Sequence, residues 1–332
     1  MKSIYLCSTY YHILITLLKC IDSKDLVDIA VLGYIDDGVS LVGRIEKSEF
    51  AANVFYLPLI QPKNKIQTLF WRTRHFVKQF EKECNVDFEL YDDIYVYMDG
   101  TCYSKYLKDA HIQYNLIEDS LDNFKNINKS RFSHMLDYRY SWGMHLTNFI
   151  FPYNYHHYRY FLDTPEIKSI EVNEIEGIQL RPNDRIIEKP REILFNKISR
   201  DNINRLLTIF LNDNVFLNYN NIGLILTYCF FTDGQFKDMN EQIELYKKVV
   251  IWYKSKGYMP VIKPHPRDKI DYTQIEDAIV INKNFPSELI RFIGDEKICR
   301  YFSIFSTATS SYPKEKVDYF DSIEDFISVY EE

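Results

Sequence analysis

Three groups of polar residues follow apolar runs of this chain, where parallel strands would end. The first is Glu118-Asp119, directly after Ile117. A carboxylate at the end of a strand can accept a proton from a substrate hydroxyl group. A surface turn in which Asp119 caps the next segment is the competing interpretation. The pair is therefore a candidate general base.

The second group is Lys263-Pro264-His265-Pro266, which ends the apolar run 259–263. The two prolines fix the backbone and carry no amide hydrogen, so they present the imidazole of His265 at the strand end. An imidazole in that position can give or take a proton near neutral pH. A structural histidine in a rigid turn is the alternative. A metal ligand is disfavoured because no second His or Cys lies near it in the sequence.

The third group is a run of hydroxyl residues at 306–311, after the apolar run 301–305. Hydroxyl groups such as those of Ser306 and Thr307, with free amides at the start of a helix, form an anion site that suits a phosphate. Glu288, in the first turn of another predicted helix, could hold the two hydroxyls of a ribose. Simple capping is the alternative for both groups.

Alternating strand and helix patterns position these groups. Strands are predicted at 3–7, 27–32, 54–57, 93–97, 112–117, 222–227, 259–263, 278–281 and 301–305. Helices are predicted at 11–21, 66–84, 199–211, 240–256 and 287–292, with a docked helix within 318–332. Such alternation indicates mainly parallel sheets covered by helices.

The predicted fold class is α/β, with two facing Rossmann-like domains and a cleft between them. Residues 1–180 are expected to form the N-terminal domain and residues 181–332 the C-terminal domain. The charged segment 178–190, with its two prolines, is interpreted as the connection. Ligands of such sheets bind outside the carboxyl ends of the strands, where the three polar groups lie.

Composition excludes several classes of function. The 40 Lys and Arg against 47 Asp and Glu give a net charge of −7, so nucleic acid is not an expected partner. The six cysteines show no C-x-x-C spacing, which predicts reduced thiols in a cytoplasmic protein. No glycine-rich nucleotide fingerprint is present. No apolar run is long enough to span a bilayer, although peripheral contact with the inner face of the cell membrane is compatible with the sequence.

The order of these motifs resembles the bacterial sialyltransferases, most closely glycosyltransferase family 52, the lipooligosaccharide sialyltransferase group. The shared features are an acidic pair, a His-Pro motif and a Ser/Thr pair after a late strand. Two further stretches resemble loops of the family: Cys7-Ser8-Thr9-Tyr10-Tyr11-His12, and the loop from Leu226-Thr227-Tyr228 to Asp233-Gly234. The family's acidic motif usually ends in glycine, whereas Ser120 occupies that place here.

The resemblance implies a GT-B fold and an inverting, metal-independent transfer of sialic acid. The donor would be CMP-sialic acid, with no further cofactor, and the acceptor a galactose-terminated oligosaccharide of lipooligosaccharide or capsule. Asp119 would be the base, and His265 would protonate or hydrogen-bond the leaving phosphate. The implied donor-binding residues are Lys263, Pro264, Glu288, Ser306, Thr307 and Thr227. Additional site candidates are Glu118, Asp233, Thr9 and Tyr10.

Several alternatives stay open. Asp233 and Asp37 are other candidates for the base. Asp36-Asp37-Gly38 fits the written acidic motif but follows the second strand. The competing functions are a hexosyltransferase with a UDP donor and a non-catalytic sugar- or nucleotide-binding protein of polysaccharide assembly. The aromatic run 151–160 is expected to pack between domains, with sugar stacking or membrane docking as alternatives. A homodimer is compatible with the sequence.

Overall fold

A computed structural model describes residues 1–60, 75–97, 99–119, 165–176, 185–211, 219–293, 297–305, 309 and 312–331. The chain divides into two compact units, Met1–Asn202 and Ile203–Glu332. Ser120, Ser306, Thr307 and the aromatic run 151–160 lie outside the described residues.

The first unit contains a sheet of seven parallel strands in the order β3-β2-β1-β4-β5-β6-β7. They are β1 (Lys2–Cys7), β2 (Leu26–Leu32), β3 (Asn53–Leu57), β4 (Asp93–Val96), β5 (Tyr114–Ile117), β6 (Ile167–Val172) and β7 (Ile186–Glu188). The strand order reverses between β1 and β4, and this switch point is where open α/β sheets bind ligands.

Helices connect the strands of the first unit. They are α1 (Tyr10–Asp22), α2 (Gly38–Glu46), α3 (His75–Glu83), α4 (Cys102–Asp109), α5 (Glu192–Lys197) and the beginning of α6 (Arg200–Phe210). Helix α1 starts three residues after the end of β1 because Thr9 caps it: the Thr9 hydroxyl accepts the backbone N–H of His12 at 3.1 Å. The cap fixes where His12 stands relative to the end of β1.

The second unit contains a parallel sheet in the order β10-β9-β8-β11-β12. Its strands are β8 (Ile222–Leu226), β9 (Met259–Lys263), β10 (Ile279–Val280), β11 (Ile298–Ile304) and β12 (Val317–Phe320). Its helices are α7 (Met239–Ser255), α8 (Ile323–Glu331) and short 3₁₀ helices that include Tyr272–Gln274 and Ser287–Phe292. The switch point of this sheet lies between β8 and β11.

An aromatic cluster forms much of the core of the second unit. The indole of Trp252 on α7 makes edge contacts with the rings of Phe302, Phe320 and Phe326, at centroid distances of 6.2, 6.1 and 5.8 Å. Phe326 is fully buried and belongs to α8. The cluster thereby docks the last helix, which confirms the helix predicted near the C-terminal end of the sequence.

The two Rossmann-like sheets confirm the predicted α/β fold class. The division between the units falls at 202/203, later than the expected 180/181. The reason is β7, which pairs with β6 in the register Ile170↔Ile186 and so places 186–188 in the first sheet rather than in a connection. A three-residue edge strand flanked by charges carries little periodic signal. The ligand roles given to the two domains remain predictions.

Most predicted strands match the structure within one or two residues, while α2, α4, α5, β6, β7 and β12 were not predicted. The segment 287–292 is a 3₁₀ helix instead of an α-helix. This helix is six residues long and is preceded by Pro286 at its N-cap. Short helical segments of this kind are often 3₁₀.

Candidate active site

The first-unit cluster comprises His12, Tyr97, Glu118, Asp119 and Arg191, at the carboxyl ends of β1, β4 and β5. Asp119 Oδ1 lies 2.7 Å from Nε2 of His12, although the two residues are 107 positions apart. The Asp119 side chain is 26% exposed and that of His12 is 0% exposed. The carboxylate predicted as the base therefore faces outward, with a buried imidazole behind it.

The predicted acidic pair divides into an inward and an outward carboxylate. Glu118 is buried, and its Oε2 accepts the backbone N–H of Asn173 at 2.7 Å. Its carbonyl oxygen accepts a hydrogen bond from the guanidinium of Arg191. Glu118 therefore ties the end of β5 to the residue after β6, which leaves Asp119 as the member of the pair suited to chemistry.

The other first-unit candidates have local structural partners. Thr9 caps α1, and Tyr10 is the first residue of that helix. Asp37 precedes α2 and forms an ion pair with Arg44 at 2.9 Å. These contacts explain the residue types of Thr9 and Asp37 without requiring a substrate.

The second-unit cluster comprises Thr227, Cys229, Asp233, Lys263, His265, Arg267, Asp268 and Glu288. His265 stands two residues beyond β9, and its backbone N–H donates to the Thr227 hydroxyl at 2.9 Å. Nδ1 of His265 accepts the backbone N–H of Arg267 at 3.1 Å and lies 3.1 Å from the Cys229 sulfur. Because a backbone N–H only donates, the neutral ring of His265 carries its proton on Nε2.

The surroundings of His265 favour the neutral imidazole. Burial, assisted by the positive charges of Arg267 and Lys263, lowers the pKa of His265 to about 4. At neutral pH the ring is thus a donor through Nε2 rather than an imidazolium. Of the two actions expected from the sequence, hydrogen bonding to a phosphate fits this state better than protonating it. A bound anion would shift the ring toward its charged form.

Lys263 is a buried lysine at the end of β9. Its ammonium donates to the carbonyl oxygens of Pro264 and Lys283, both at 2.8 Å. Burial lowers its pKa to about 7. The side chain thereby joins the His265 loop to the segment after β10, and it places a partial positive charge near the histidine.

Glu288 lies in the first turn of the 3₁₀ helix 287–292, where its carboxylate is half-buried. Burial raises its pKa, and the Ser287 hydroxyl lies 3.4 Å from Oε2. A carboxylate held in this way is an acceptor that could receive ribose hydroxyls.

Asp268 anchors the loop that carries His265. This buried carboxylate accepts the hydroxyl of Tyr272 at 2.6 Å and the amide of Gln242 at 2.9 Å through Oδ2, and the backbone N–H of Ile270 at 3.1 Å through Oδ1. The Thr227 hydroxyl also donates to Oδ2, at 3.4 Å. The Thr227 hydroxyl thereby links His265 to Asp268. Its predicted contact with the donor remains a prediction.

Asp233 belongs to the same unit as His265. Its two carboxylate oxygens each lie 3.5 Å from the guanidinium of Arg267, whose backbone N–H holds the His265 ring. A hydrogen bond to Asp233 raises the pKa of the Tyr228 hydroxyl. At 25% exposure, the Asp233 side chain is as open as that of Asp119.

The end of β11 also bears on the predicted phosphate loop. Phe305, the residue after β11, has φ 60°, in the left-handed region that a non-glycine residue seldom occupies. Such backbone strain concentrates at functional turns. Ser306 and Thr307 follow it immediately and remain predictions.

Six residues of the clusters were not among the predicted site residues: His12, Tyr97, Arg191, Cys229, Arg267 and Asp268. His12 stands in one of the stretches that carried the family resemblance, but nothing near it in the sequence indicates the carboxylate of Asp119. Within the described part of the chain, no three His, Cys, Asp or Glu side chains group in a way that would hold a metal ion. None of the described helices is both long and apolar enough to cross a membrane.

A segment of the second unit is similar to a known protein family. The model of "Glycosyltransferase family 52" matches residues 220–324, from just before β8 to the start of α8. The family resemblance predicted from the motifs is therefore confirmed. The matched segment includes Asp233, Lys263, His265 and Glu288, and Asp119 lies outside it.

A Haemophilus influenzae protein (strain ATCC 51907 / DSM 11121 / KW20 / Rd), described as an uncharacterized protein, is 45% identical over 82 residues. The match covers 24% of this chain and 26% of that relative, so the chain spans about a quarter of its length.

Two solved structures are similar over most of this chain. One is Arabidopsis thaliana UGT89C1 complexed with UDP, with a TM-score of 0.49, 11% identity, and coverage of 93% of this chain and 76% of that one. The other is the spinosyn forosaminyltransferase SpnP, with a TM-score of 0.46, 9% identity, and coverage of 93% and 76%. At TM-scores below 0.5, these similarities assign neither donor nor acceptor.

Proposed function

We propose that this chain is an inverting sialyltransferase that moves sialic acid from CMP-sialic acid to a terminal galactoside of a surface glycan. One observation carries the proposal: the family 52 match covers the unit in which His265 stands at the carboxyl end of β9 with its proton on Nε2. A donor N–H at that edge suits the phosphate of a nucleotide sugar.

The proposed reaction forms one bond and breaks one bond at the anomeric carbon. The acceptor hydroxyl oxygen attacks that carbon while Asp119 takes the hydroxyl proton, and the bond to the CMP phosphate breaks with its electron pair remaining on the phosphate. The sugar passes through an oxocarbenium-like state, as in other glycosyl transfers. The Nε2–H of His265 hydrogen-bonds the phosphate oxygen as negative charge develops on it.

In the same proposal, the donor is held by residues of the second unit. Ser306 and Thr307 bind the phosphate, Glu288 binds the ribose, and Lys263 with Pro264 fixes the histidine loop. The leaving group carries a single phosphate, which hydroxyls, amides and an imidazole can stabilise without a metal ion. Turnover that is unchanged after treatment with EDTA is the expected sign of metal independence.

Asp233 is the rival for the role of the base. It shares a unit with His265, it lies inside the family 52 segment, and it contacts Arg267. Asp119 is preferred because its carboxylate has a buried hydrogen-bond donor behind it, an arrangement that fixes a base for proton transfer.

The cysteines support a proposal about the cellular setting. All six are free, and a chain whose thiols remain unpaired suits a reducing compartment, so we propose a cytoplasmic enzyme whose membrane contact, if present, is peripheral.

The deciding experiment incubates the purified chain with CMP-sialic acid and a galactoside and measures release of CMP together with the sialylated product. His265→Ala is expected to lower turnover by about 10²–10³-fold, the loss typical of removing one hydrogen-bond donor to a developing negative charge. His111→Ala is the matched control, because this imidazole is 83% exposed and pairs with Glu166 in the first unit. It should leave turnover unchanged.

Two other results would replace the proposal. Tighter binding of UDP than of CMP in calorimetry would indicate a hexosyltransferase. Nucleotide binding without turnover of any nucleotide sugar would indicate a binding protein of polysaccharide assembly.

A further inference from the structure

His12 and Asp119 form a buried-to-exposed pair at the switch point of the first sheet. His12 follows β1, Tyr97 follows β4 and Asp119 follows β5. The imidazole of His12 is 0% exposed and its Nε2 is 2.7 Å from Asp119 Oδ1. A fully buried imidazole whose partner carboxylate reaches solvent can act on a ligand only through that carboxylate.

The hydrogen bonds of His12 determine its tautomer. The backbone N–H of Ser8 donates to Nδ1 at 3.2 Å, and a backbone amide has no alternative to donating. Nδ1 is therefore an acceptor, and the proton of the neutral ring is on Nε2, directed at Asp119. The Ser8 hydroxyl, 3.1 Å from Nδ1, is compatible with the same tautomer.

The charge state of His12 follows from its surroundings. Burial lowers its pKa, the Asp119 carboxylate opposes this shift, and the positive charge of Arg191 adds to it. The charged groups that face the ring are thus Asp119 from the end of β5 and Arg191 from the start of α5. Burial outweighs the carboxylate, so the ring remains neutral and donates one hydrogen bond.

The orientation of His12 is fixed by packing. The ring stacks on Tyr97 with centroids 4.3 Å apart and planes 7° apart. The Tyr97 hydroxyl is in turn 2.9 Å from the Thr16 hydroxyl on α1. A ring held on its face and at both nitrogens has little rotational freedom, so the position of its Nε2–H is set before any ligand arrives.

We propose that His12 is the positioning residue of Asp119, holding the carboxylate ionised and in one rotamer through a neutral Nε2–H. This inference rests on the proposed function, in which Asp119 takes the proton of the acceptor hydroxyl. His12 is not itself the base, because Ser8 and Asp119 occupy its two ring nitrogens. A hydrogen bond to the ionised form of a carboxylate favours that form, so a donor here extends the activity of the base to lower pH.

Two substitutions of His12 test whether the donor at the position of Nε2 is needed. His12→Gln places an amide N–H near the position of Nε2 and keeps the donor to Asp119, whereas His12→Asn reaches only the position of Nδ1 and loses it. We expect His12→Asn to lower kcat by about 10–100-fold, the loss typical of an outer partner that orients a functional group. The KM for the donor should stay within about twofold, because His12 does not contact it.

In His12→Asn, the pH at which the rate falls on the acidic side of the pH–rate profile should move to a higher value. In His12→Gln, both the rate and this pH should stay close to those of the wild type. A structural role alone would lower the amount of folded protein without moving this pH. Equal activities of the Asn and Gln variants, or no change of this pH in His12→Asn, would overturn the proposal.

A second measurement requires no turnover. In wild-type protein at neutral pH, the ¹⁵N shifts of His12 should show a protonated Nε2 and an unprotonated Nδ1. A ring that is doubly protonated at neutral pH, or that carries its proton on Nδ1, would refute the positioning role whatever the enzyme assay gives. Failure of the assay together with the expected shifts would instead count against the proposed function.

Discussion

The backbone N–H of Arg267 donates to Nδ1 of His265 across 3.1 Å, and this bond leaves Nε2 as the nitrogen that carries the proton. Burial, with the added positive charge of Arg267, lowers the pKa of His265 to about 4. His265 is thus a neutral donor in the ligand-free protein, and Arg267 determines which nitrogen donates.

Binding of CMP should therefore take up a proton at mildly acidic pH. A phosphate beside the ring favours the imidazolium and raises the pKa of His265 from about 4, so the complex holds a proton that the free protein lacks. Calorimetry at about pH 5 in two buffers of different ionisation enthalpy measures this uptake. His265→Asn should show less uptake than wild type, and equal uptake would place the phosphate away from His265.

The identity of the base can be decided between two carboxylates of similar exposure. Asp119→Asn should lower turnover by about 10²–10⁴-fold, because the acceptor hydroxyl then has no group to receive its proton. Asp233→Asn should cost less than about tenfold, through loss of the contact with Arg267. The reverse order of the two rates, measured on folded proteins, would transfer the role to Asp233.

Asp268 should be a large contributor to the stability of the second unit. Asp268→Ala leaves the buried hydroxyl of Tyr272 and amide of Gln242 without their shared acceptor, which is expected to lower the free energy of unfolding by about 2–4 kcal/mol. Asp271→Ala is the matched control in the same loop. It removes an exposed cap on Thr273 and should cost clearly less than Asp268→Ala.

Urea denaturation followed by circular dichroism measures both variants. Similar losses for the two would show that the buried hydrogen bonds of Asp268 add nothing beyond an ordinary cap.

Two glycines should respond in opposite directions to substitution by alanine. A Cβ at Gly223 on β8 would lie 2.3 Å from Cδ2 of Tyr253 and 3.1 Å from Cβ of Tyr258, so Gly223→Ala should destabilise by about 1–3 kcal/mol. A Cβ at Gly43 in α2 meets no atom within 4 Å. Gly43→Ala should therefore stabilise by about 0.5–1 kcal/mol, since glycine weakens a helix. Thermal unfolding of the two variants checks the signs, and a stabilised Gly223→Ala would contradict the packing described for β8.

Strands β2, β8 and β9 were predictable because nearly all of their residues are buried, so they appear in the sequence as mostly apolar runs. Residues 259–263 were predicted as a strand and form β9 with the same bounds. Helix α4 escaped prediction because its buried face includes Lys105 and Lys108, which pair with Asp109 and Asp99. A lysine in a sequence predicts a solvent-exposed position, and its burial becomes visible only when the fold shows the acidic partner.

The part of the site that has a local sequence signal was predictable, and the part that depends on distant residues was not. Pro264 and Pro266 mark His265 as a presented residue without any reference to distant segments. The role of His12 depends on Asp119, which comes from a different strand 107 positions away. Asp268 likewise depends on Gln242 of α7. Hydrogen bonds between distant segments leave no periodic trace in a sequence, so these partners emerge only from the fold.

The aromatic cluster around Trp252 gives the second unit its own optical reporter. Trp71 and Trp142 are the other two tryptophans of the chain, so replacing both with phenylalanine leaves one indole, buried against Phe302, Phe320 and Phe326. The ammonium of Lys256 also lies 3.7 Å from the centre of that indole. Fluorescence emission from such a variant would report the unfolding of this core alone. It would therefore distinguish unfolding of the unit that carries the candidate nucleotide-binding residues from unfolding elsewhere in the chain.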